Sequence, residues 1–223
     1  MNWKNKIILL TGASSGIGEG LALAMAKRGA IIGLIARRRE LLEDLAERCR
    51  AAGGDARVFP LDVTDEQAVA EAADAMRAEF GHIDILIANA GVGGVDPETQ
   101  AYTPRAVRKL IDINLMGAVN AVYAVVKPMV ERRSGQIVAV SSLASFRGVP
   151  KSAAYSASKA GMNAFFESLR LDLLDTGVDV TIILPGFIRT PLTSARAAKM
   201  PFIMERDDSI AHFIKAIEKR KRF

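Results

Sequence analysis

The sequence predicts an α/β fold, in which a parallel β-sheet is covered by helices on both faces. Six short runs are dense in Ile, Val and Leu without clear polar alternation, as expected for strands that are buried on both sides. Longer amphipathic stretches separate these runs. Such regular alternation implies parallel strands joined by right-handed crossovers.

The predicted strands are 6–11, 30–36, 56–62, 83–89, 136–142 and 178–185. The predicted helices are 16–28, 38–52, 65–80, 103–131 and 152–176. Four of these helices end near a glycine, which suits a left-handed C-cap: Gly29, Gly53, Gly81 and Gly177. No linker, repeat or low-complexity segment interrupts the pattern, so we expect one domain over residues 1–223.

Composition indicates a globular protein, with 50% hydrophobic and 25% charged residues. Cys49 is the only cysteine, which excludes an internal disulfide and favours a reducing compartment. No signal peptide or membrane-spanning apolar stretch is evident, so we expect a cytoplasmic location. His82 and His212 are isolated, and we expect no metal site.

The formal net charge is +5, and most of the excess lies at the end of the chain. The last nine residues, KAIEKRKRF, hold five bases and one acid, which sum to +4. A solvated helix end explains such a tail, so we expect no nucleic-acid partner. Membrane contact is expected only through this tail or through a continuation beyond it. The alternative function is that the basic tail itself serves as a binding module for nucleic acid or membrane.

A glycine-rich turn, TGASSGIG, follows the first predicted strand and precedes a helix. Its spacing, G-x-x-x-G-x-G, lets the backbone approach a pyrophosphate while the helix N-terminus faces the negative charge. The candidate cofactor residues here are Gly12, Ser14, Ser15, Gly16, Ile17 and Gly18. A glycine turn without a ligand is the alternative.

The second strand ends in Ala36, followed by Arg37, Arg38 and Arg39. An NAD site usually carries an acidic residue at this place, whereas an arginine can pair with the 2′-phosphate of NADP. Basic residues also oppose the dipole at a helix N-terminus, so an anionic partner explains them better than solvent does. We expect NADP(H), held first by Arg37, then by Arg38, with a hydroxyl from Ser14.

The residues that follow the third and fourth strands indicate a cofactor site less strongly. Asp62 can accept a hydrogen bond from an adenine amino group, with Val63 against the ring, while Thr64 or Asp65 is an N-cap. After the fourth strand, small side chains and an amide lie beside a cofactor or form a tight turn: Asn89, Ala90 and Gly91.

Together these segments resemble the short-chain dehydrogenase/reductase family. The matching elements occur in that family's order: TGASSGIG, NAG at 89–91, Asn114, the serine pair 141–142, YSASK at 155–159 and PG at 185–186. The resemblance reaches to about residue 192. It implies a Rossmann-type doubly wound sheet with strand order 3-2-1-4-5-6, and an enzyme that interconverts a carbonyl and a secondary alcohol by hydride transfer.

The resemblance assigns catalysis to Asn114, Ser142, Tyr155 and Lys159. Tyr155 and Lys159 are four residues apart, so they share one helix face. An ammonium and an oxidised nicotinamide would lower the tyrosine pKa from about 10, which makes Tyr155 a general acid and base. Ser142, 13 residues before Tyr155, would orient the substrate oxygen. Asn114 would hold a water that links Lys159 to solvent.

Beyond the sixth strand, the resemblance places four residues beside the nicotinamide and pyrophosphate: Pro185, Gly186, Ile188 and Thr190. The substrate loop is about 186–204, and we expect a small carbonyl or alcohol substrate in a largely apolar pocket. The candidate substrate residues are Ser142, Leu143, Tyr155, Phe187 and Leu192. Further apolar residues near the pocket are Phe146, Val149, Met200, Pro201, Phe202, Ile203 and Met204.

The end of the chain departs from the family, because no seventh strand follows the last helix. A homodimer or homotetramer is expected, with 103–131 and 152–176 pairing across a two-fold axis. The missing strand keeps a second function open, a catalytically impaired NADP(H)-binding regulatory protein.

Overall fold

The structure, a computed structural model, describes residues 1–93, 103–194 and 200–223. Within them lies one six-stranded parallel sheet with the order β3-β2-β1-β4-β5-β6, as predicted. The strands are Ile7–Thr11 (β1), Ile31–Ala36 (β2), Asp55–Pro60 (β3), Ile85–Ala88 (β4), Gly135–Val140 (β5) and Val178–Ile183 (β6).

Helices cover both faces of this sheet. In chain order they are Gly16–Ala26 (α1), Arg39–Ala51 (α2), Glu66–Phe80 (α3), Pro104–Ile111 (α4), Gly117–Tyr123 (α5), Val126–Glu131 (α6), Ala153–Asp172 (α7) and Arg206–Glu218 (α8). A π-helical turn, Asp112–Met116, joins α4 to α5, and a 3-10 turn, Leu143–Ser145, follows β5.

Two apolar cores explain why the strands lack polar alternation. On one face α1, α2 and α8 pack against the sheet through residues such as Leu21, Leu45 and Phe213. On the other face α3, α5 and α7 pack through residues such as Met76 and Phe166. Strands covered on both sides must be apolar at nearly every position, which is the pattern in the sequence.

The prediction of one helix over 103–131 is wrong. The π-helical turn interrupts it at Asp112–Met116, and a second break separates α5 from α6. Pro128 has no N–H to donate to the Ala124 carbonyl, four residues earlier. The Arg77 guanidinium donates to that carbonyl instead, at 2.8 Å. The Ala124 carbonyl, which Pro128 leaves without a backbone donor, therefore still has a hydrogen-bond partner at this break.

The C-terminal segment packs against the N-terminus and the edge of the sheet. The Trp3 indole N–H donates to the Glu218 carboxylate at 2.7 Å. After α8 the chain turns back along β6, where the Ile182 N–H donates to the Arg222 carbonyl at 3.0 Å and Arg220 pairs with Asp179. The described residues contain no seventh strand and no helix long and apolar enough to span a membrane.

Candidate functional site

A cleft of about 390 Å³ opens at the carboxyl edge of the sheet, over the neighbouring strands β1 and β4, where the strand order reverses. It brings together many of the residues nominated from the sequence: Gly12, Ser14, Ser15, Gly16, Ile17, Arg37, Arg38, Asp62, Val63, Asn89, Ala90, Gly91, Tyr155, Lys159, Thr190 and Leu192. The other nominated residues do not line it directly: Gly18, Asn114, Ser142, Leu143, Pro185, Gly186, Phe187 and Ile188. Gly18 and Asn114 lie behind the lining.

The glycine turn is shaped by contacts that only glycine permits. Gly12 has φ +69°, a left-handed conformation that favours glycine. A Cβ on Gly18 would lie 2.2 Å from the Gly12 carbonyl oxygen, so the start of α1 touches the end of β1 through backbone alone. Ser15, the N-cap of α1, forms no side-chain cap. The N–H groups of the first turn are therefore available to an anion.

Thr11 and Asn89 join β1 to β4 at this edge. The Thr11 hydroxyl accepts hydrogen bonds from the N–H groups of Asn89 and Ala90, each at 3.0 Å. The Asn89 amide donates to the carbonyls of Thr11 and Gly12, at 3.0 and 3.2 Å. The Asn89 amide nitrogen is therefore used in holding the two strand ends together.

The arginines after β2 occupy different places. One Arg38 nitrogen donates to the hydroxyls of Ser14 and Ser15, at 2.9 and 3.1 Å, at the glycine turn. Arg37 lies 3.8 Å from the Asp62 carboxylate, and 63% of its side chain is exposed. Arg39 forms an ion pair with Glu43 along α2 and does not line the cleft.

The third strand ends in a small turn. The Asp62 carboxylate accepts from the backbone N–H and the hydroxyl of Thr64, both at 3.0 Å. Val63 is buried against Gly117, where an added Cβ would lie 2.5 Å from a Val63 methyl group. The N-cap of α3 is Asp65, which accepts from the Ala68 N–H. The alternative, Thr64, is therefore wrong.

Tyr155 and Lys159 enter the cleft from the first turns of α7. The Lys159 ammonium is buried and donates to the Val140 carbonyl, at the end of β5, at 2.9 Å. Burial lowers the pKa of Lys159 to about 8. Burial raises the pKa of Tyr155, and the nearby Ser142 hydroxyl lowers it by less. The net effect of the protein groups alone is therefore a raised tyrosine pKa, and the lowering expected from the ammonium together with an oxidised nicotinamide stays a prediction.

Ser142 and Ser141 point to different surroundings. Ser142 begins the 3-10 turn, where its hydroxyl accepts from the Ala144 N–H at 3.1 Å. The same hydroxyl is near enough to Tyr155 to affect its pKa. Ser141 is buried, and its hydroxyl lies 3.4 Å from the Lys159 carbonyl. Ser142 thus combines a backbone cap with a place beside Tyr155.

Asn114 lies inside the π-helical turn and is fully buried. Its amide donates to the Val92 carbonyl at 3.0 Å and to the Ser158 hydroxyl at 2.9 Å, and its oxygen accepts from the Val92 N–H at 2.8 Å. A Cβ on Gly91 would lie 3.4 Å from the Asn114 oxygen and 3.6 Å from the Lys159 nitrogen. The missing side chain of Gly91 leaves a gap between these two polar groups.

The residues after β6 form the remaining wall. The Pro185 carbonyl accepts from the Leu143 N–H at 2.9 Å, which brings Gly186 beside Leu143. Ile188 pairs with Met204 in an isolated bridge, and the Thr190 hydroxyl lies 3.4 Å from that of Thr193. Residues 195–199 of the predicted substrate loop lie outside the described residues.

Comparison with known proteins identifies this arrangement. The family model for short chain dehydrogenases matches residues 6–201. The chain belongs to the short-chain dehydrogenase family. It is 48% identical over 202 residues to an uncharacterized oxidoreductase from Myxococcus xanthus, a match that covers 91% of this chain and 79% of that protein.

Two solved structures of the family are similar to the chain. A metagenomic short-chain oxidoreductase in complex with NADP has a TM-score of 0.82 and 31% identity, covering 97% of this chain and 92% of that one. An NAD⁺-bound xylitol dehydrogenase has a TM-score of 0.79 and 36% identity, covering 84% and 72%. The Rossmann-type fold predicted from the sequence is thereby confirmed.

Several residues of this short-chain dehydrogenase site were absent from the sequence-based set. The cleft is also lined by Ala36, Leu61, Val92, Ile113, Val140, Ser141 and Pro191. Thr11 was visible as a polar residue at the end of an apolar strand, directly before Gly12. Val92 contacts Asn114 through its backbone alone, so no side-chain signal could have marked it.

Proposed function

We propose that the chain is an NADP(H)-dependent oxidoreductase that interconverts a carbonyl and a secondary alcohol by hydride transfer, with Tyr155 as general acid and base. One observation carries the proposal: Tyr155 and Lys159 line the same cleft as the glycine turn. A dinucleotide held at the turn would thus reach a proton donor without any movement of the sheet.

The cleft has the features that a pyrophosphate and a ribose require. The uncapped first turn of α1 and the backbone contact between Gly12 and Gly18 form a cradle for phosphate oxygens. Thr190 lines the same cleft beside Gly16, where an added Cβ would lie 3.4 Å from the Thr190 Cβ, and its hydroxyl would reach the carboxamide or the pyrophosphate. When bound, the nicotinamide would supply the hydride chemistry, for which the protein needs no nucleophile of its own.

Tyr155 would give its phenolic proton to a carbonyl oxygen during reduction and take a hydroxyl proton during oxidation. Its raised pKa favours the protonated form, which is the form that reduction needs. The Ser142 hydroxyl accepts the Ala144 N–H, so its own hydrogen can be donated to the substrate oxygen. The serine would thus orient the substrate while the tyrosine moves the proton.

Lys159 would hold the ribose of the nicotinamide and return protons to Tyr155. A pKa of about 8 keeps its ammonium close to the working range of proton exchange. Both hydrogens of the Asn114 amide are already donated, so a relay water would be held by an Asn114 oxygen in the gap beside Gly91. This relay would connect Lys159 to solvent.

The preference for NADP(H) over NAD(H) rests on charge at the end of β2. Ala36 stands where an acidic residue would meet the ribose hydroxyls, and two arginines follow it. Arg38 and the Ser14 hydroxyl already share a hydrogen bond at the turn, and Arg37 has an exposed side chain. These groups form a cationic pocket that suits a 2′-phosphate.

The substrate is proposed to be a small carbonyl or alcohol compound with a largely apolar body. Exposed apolar side chains follow Ser142 along the chain or lie in the segment after β6: Leu143, Phe146, Val149, Phe187, Leu192 and Met204. The hydroxyls of Ser142 and Tyr155 would fix its orientation within this apolar surface.

We also propose that the protein is cytoplasmic and associates with itself. Apolar side chains remain exposed along α5 and α7, including Tyr123 at 67% and Leu171 at 57%. Burying them between two copies would complete a homodimer, which could pair further into a tetramer. Within the basic tail Arg220 pairs with Asp179, while Lys219, Lys221 and Arg222 are exposed. A solvated helix end explains these charges, so we propose no nucleic-acid partner and membrane contact only through this tail.

The alternative function is an NADP(H)-binding regulatory protein without turnover. The experiment that separates the two is a titration with NADPH and NADH, followed by a panel of carbonyl compounds monitored by NADPH absorbance. We expect turnover that Tyr155→Phe abolishes while cofactor affinity stays within about twofold. Tight NADPH binding with no turnover across the panel would favour the regulatory protein.

A further inference from the structure

A buried chain of hydrogen bonds connects helix α7 to Ser142. The Asn163 amide donates to the Ser145 hydroxyl at 2.7 Å. The Ser145 hydroxyl in turn donates to the Ser142 carbonyl at 2.5 Å. Asn163 is only 7% exposed, and both serines are partly buried.

The donor and acceptor of each hydrogen bond are fixed by the single hydrogen that the Ser145 hydroxyl carries. A serine hydroxyl has one hydrogen, and that of Ser145 goes to the Ser142 carbonyl. Ser145 can therefore only accept from Asn163, so the amide nitrogen must face it. The Asn163 oxygen then points into the protein without a hydrogen-bond partner among the described residues. An unpaired buried oxygen costs stability, and among the described residues the hydrogen bond to Ser145 is the one polar contact that holds this side chain.

These hydrogen bonds act on the backbone of Ser142, the residue that carries the orienting hydroxyl. Ser142 has an extended conformation, with φ −167° and ψ 154°, as the N-cap of the 3-10 turn. Its carbonyl is held by Ser145 and its hydroxyl by the Ala144 N–H, so the side chain has little freedom to rotate. The same helix carries Tyr155, Lys159 and Asn163 at intervals of four residues, on one face.

We propose that Asn163 is a positioning residue, which sets the Ser142 hydroxyl against Tyr155 through the Ser145 hydroxyl. The inference rests on the proposed function, because it requires that Ser142 and Tyr155 act together on one substrate oxygen. One helix would then carry the proton donor, its ammonium neighbour and the group that holds the orienting serine. A shift of α7 would move all three together.

The test needs variants that break the chain at each link. Asn163→Leu removes the donor while nearly keeping the volume. Asn163→Asp keeps the shape but offers an acceptor, which would draw the Ser145 hydrogen away from the Ser142 carbonyl. Ser145→Ala removes the hydroxyl that joins Asn163 to the Ser142 carbonyl. This variant tests the proposal if either Asn163 variant fails to fold. Ser142→Ala removes the hydroxyl on which the chain acts.

Gln136→Leu is the matched control. Gln136 is also a buried carboxamide that donates to a hydroxyl, that of Thr181, at 3.0 Å. Its oxygen likewise lacks a partner within the described part of the chain. It lies at the amino end of β5, remote from the cleft at the carboxyl edge. It therefore reports the cost of losing a buried amide without any effect on Ser142.

Two readouts distinguish positioning from a merely structural role. The first is the pKa of Tyr155 in the protein alone, measured by phenolate absorbance with Tyr155→Phe as the blank. Because the Ser142 hydroxyl lowers this pKa, Asn163→Leu and Ser145→Ala should raise it by the same amount as Ser142→Ala. The second is kcat with the first carbonyl compound that the unmutated protein reduces. We expect a loss of about tenfold, with the NADPH Kd unchanged.

The outcomes are separable. Asn163→Leu in a Ser142→Ala background should change neither readout further, and Gln136→Leu should lower the melting temperature alone. If Asn163→Leu and Ser145→Ala lower stability but leave the Tyr155 pKa and kcat unchanged, the positioning role is overturned. If Tyr155→Phe leaves turnover intact, the proposed function fails instead, whatever the Asn163 variants do.

Discussion

The ammonium of Lys159 donates to the carbonyl of Val140, which ties helix α7 to the end of strand β5. The contact is fully enclosed, and the burial lowers the pKa of Lys159 from 10.5 to about 8. An ionised lysine in such a place destabilises the fold, because its desolvation exceeds the gain from one hydrogen bond. Its presence at the cleft is therefore a cost in stability that function would explain.

Lys159→Met should stabilise the protein at pH 7. The unfolded chain binds more protons than the folded one between pH 8 and 10.5, so the stability of the unmutated protein should rise with pH across this window. The variant should lose that rise and gain up to roughly 3 kcal/mol at pH 7, less about 1 kcal/mol for the lost hydrogen bond. Thermal unfolding at pH 7, 8, 9 and 10 measures both effects. A variant with a lower melting temperature at pH 7 would contradict the burial argument.

Tyr155 should titrate above the ordinary value of about 10 in the protein alone, because burial disfavours the phenolate. Oxidised cofactor should bring the pKa down, since its positive ring would favour the phenolate. Absorbance titrations of the protein and of Tyr155→Phe give the difference, with and without NADP⁺. A Tyr155 pKa that stays the same when NADP⁺ binds would mean that the ring does not lie beside it.

Gly18→Ala should weaken cofactor binding at least tenfold while leaving most of the fold intact. The added methyl would lie 2.2 Å from the Gly12 carbonyl, so β1 and α1 would have to separate at the phosphate cradle. Gly148→Ala is the control, because a methyl group added at Gly148 would meet no described atom within 4 Å. Isothermal titration with NADPH measures both variants. Equal affinities in the two would refute a role for this turn in binding.

The cofactor preference should respond to charge after β2. Replacing Ala36 by Asp together with Arg37→Ala should reduce or reverse the preference for NADPH, because a carboxylate repels the 2′-phosphate and accepts ribose hydroxyls. Arg38→Ala should weaken NADPH binding more than NADH binding, since Arg38 reaches Ser14. Arg39→Ala, which removes an ion pair along α2, is the control. Equal affinities for both cofactors in the unmutated protein would remove the basis for the prediction.

Self-association should depend on the exposed apolar residues of α7. Leu171 is 57% exposed there, and Leu171→Asp would place a charge in the proposed interface. We expect a shift from dimer to monomer in light scattering coupled to size exclusion. Leu41→Asp, at a similarly exposed leucine of α2, should leave the assembly unchanged. A monomeric unmutated protein would contradict the proposal directly.

The sequence predicts the sheet well because burial on both faces leaves a strong pattern, as in IILL of β1 and IVAV of β5. It wrongly predicts one helix through 103–131, because the spacing of apolar residues reveals neither the π-helical turn at Asn114 nor the helix break that precedes Pro128. Ser145 and Asn163 were invisible, since their importance comes from a contact between residues 18 apart. The direction of the Tyr155 pKa also needed the structure, because desolvation depends on three-dimensional surroundings.

The strand order places β1 between β2 and β4, so the chain crosses the middle of the sheet only once. The residues proposed to select the cofactor come from the part of the chain before that crossing, up to Val63. The proposed proton-transfer groups come after it, from Asn114 onward. A chimera joined between these two stretches could therefore exchange the preferred nucleotide with a relative and inherit the reaction unchanged. Such a division lets recombination vary the two properties independently.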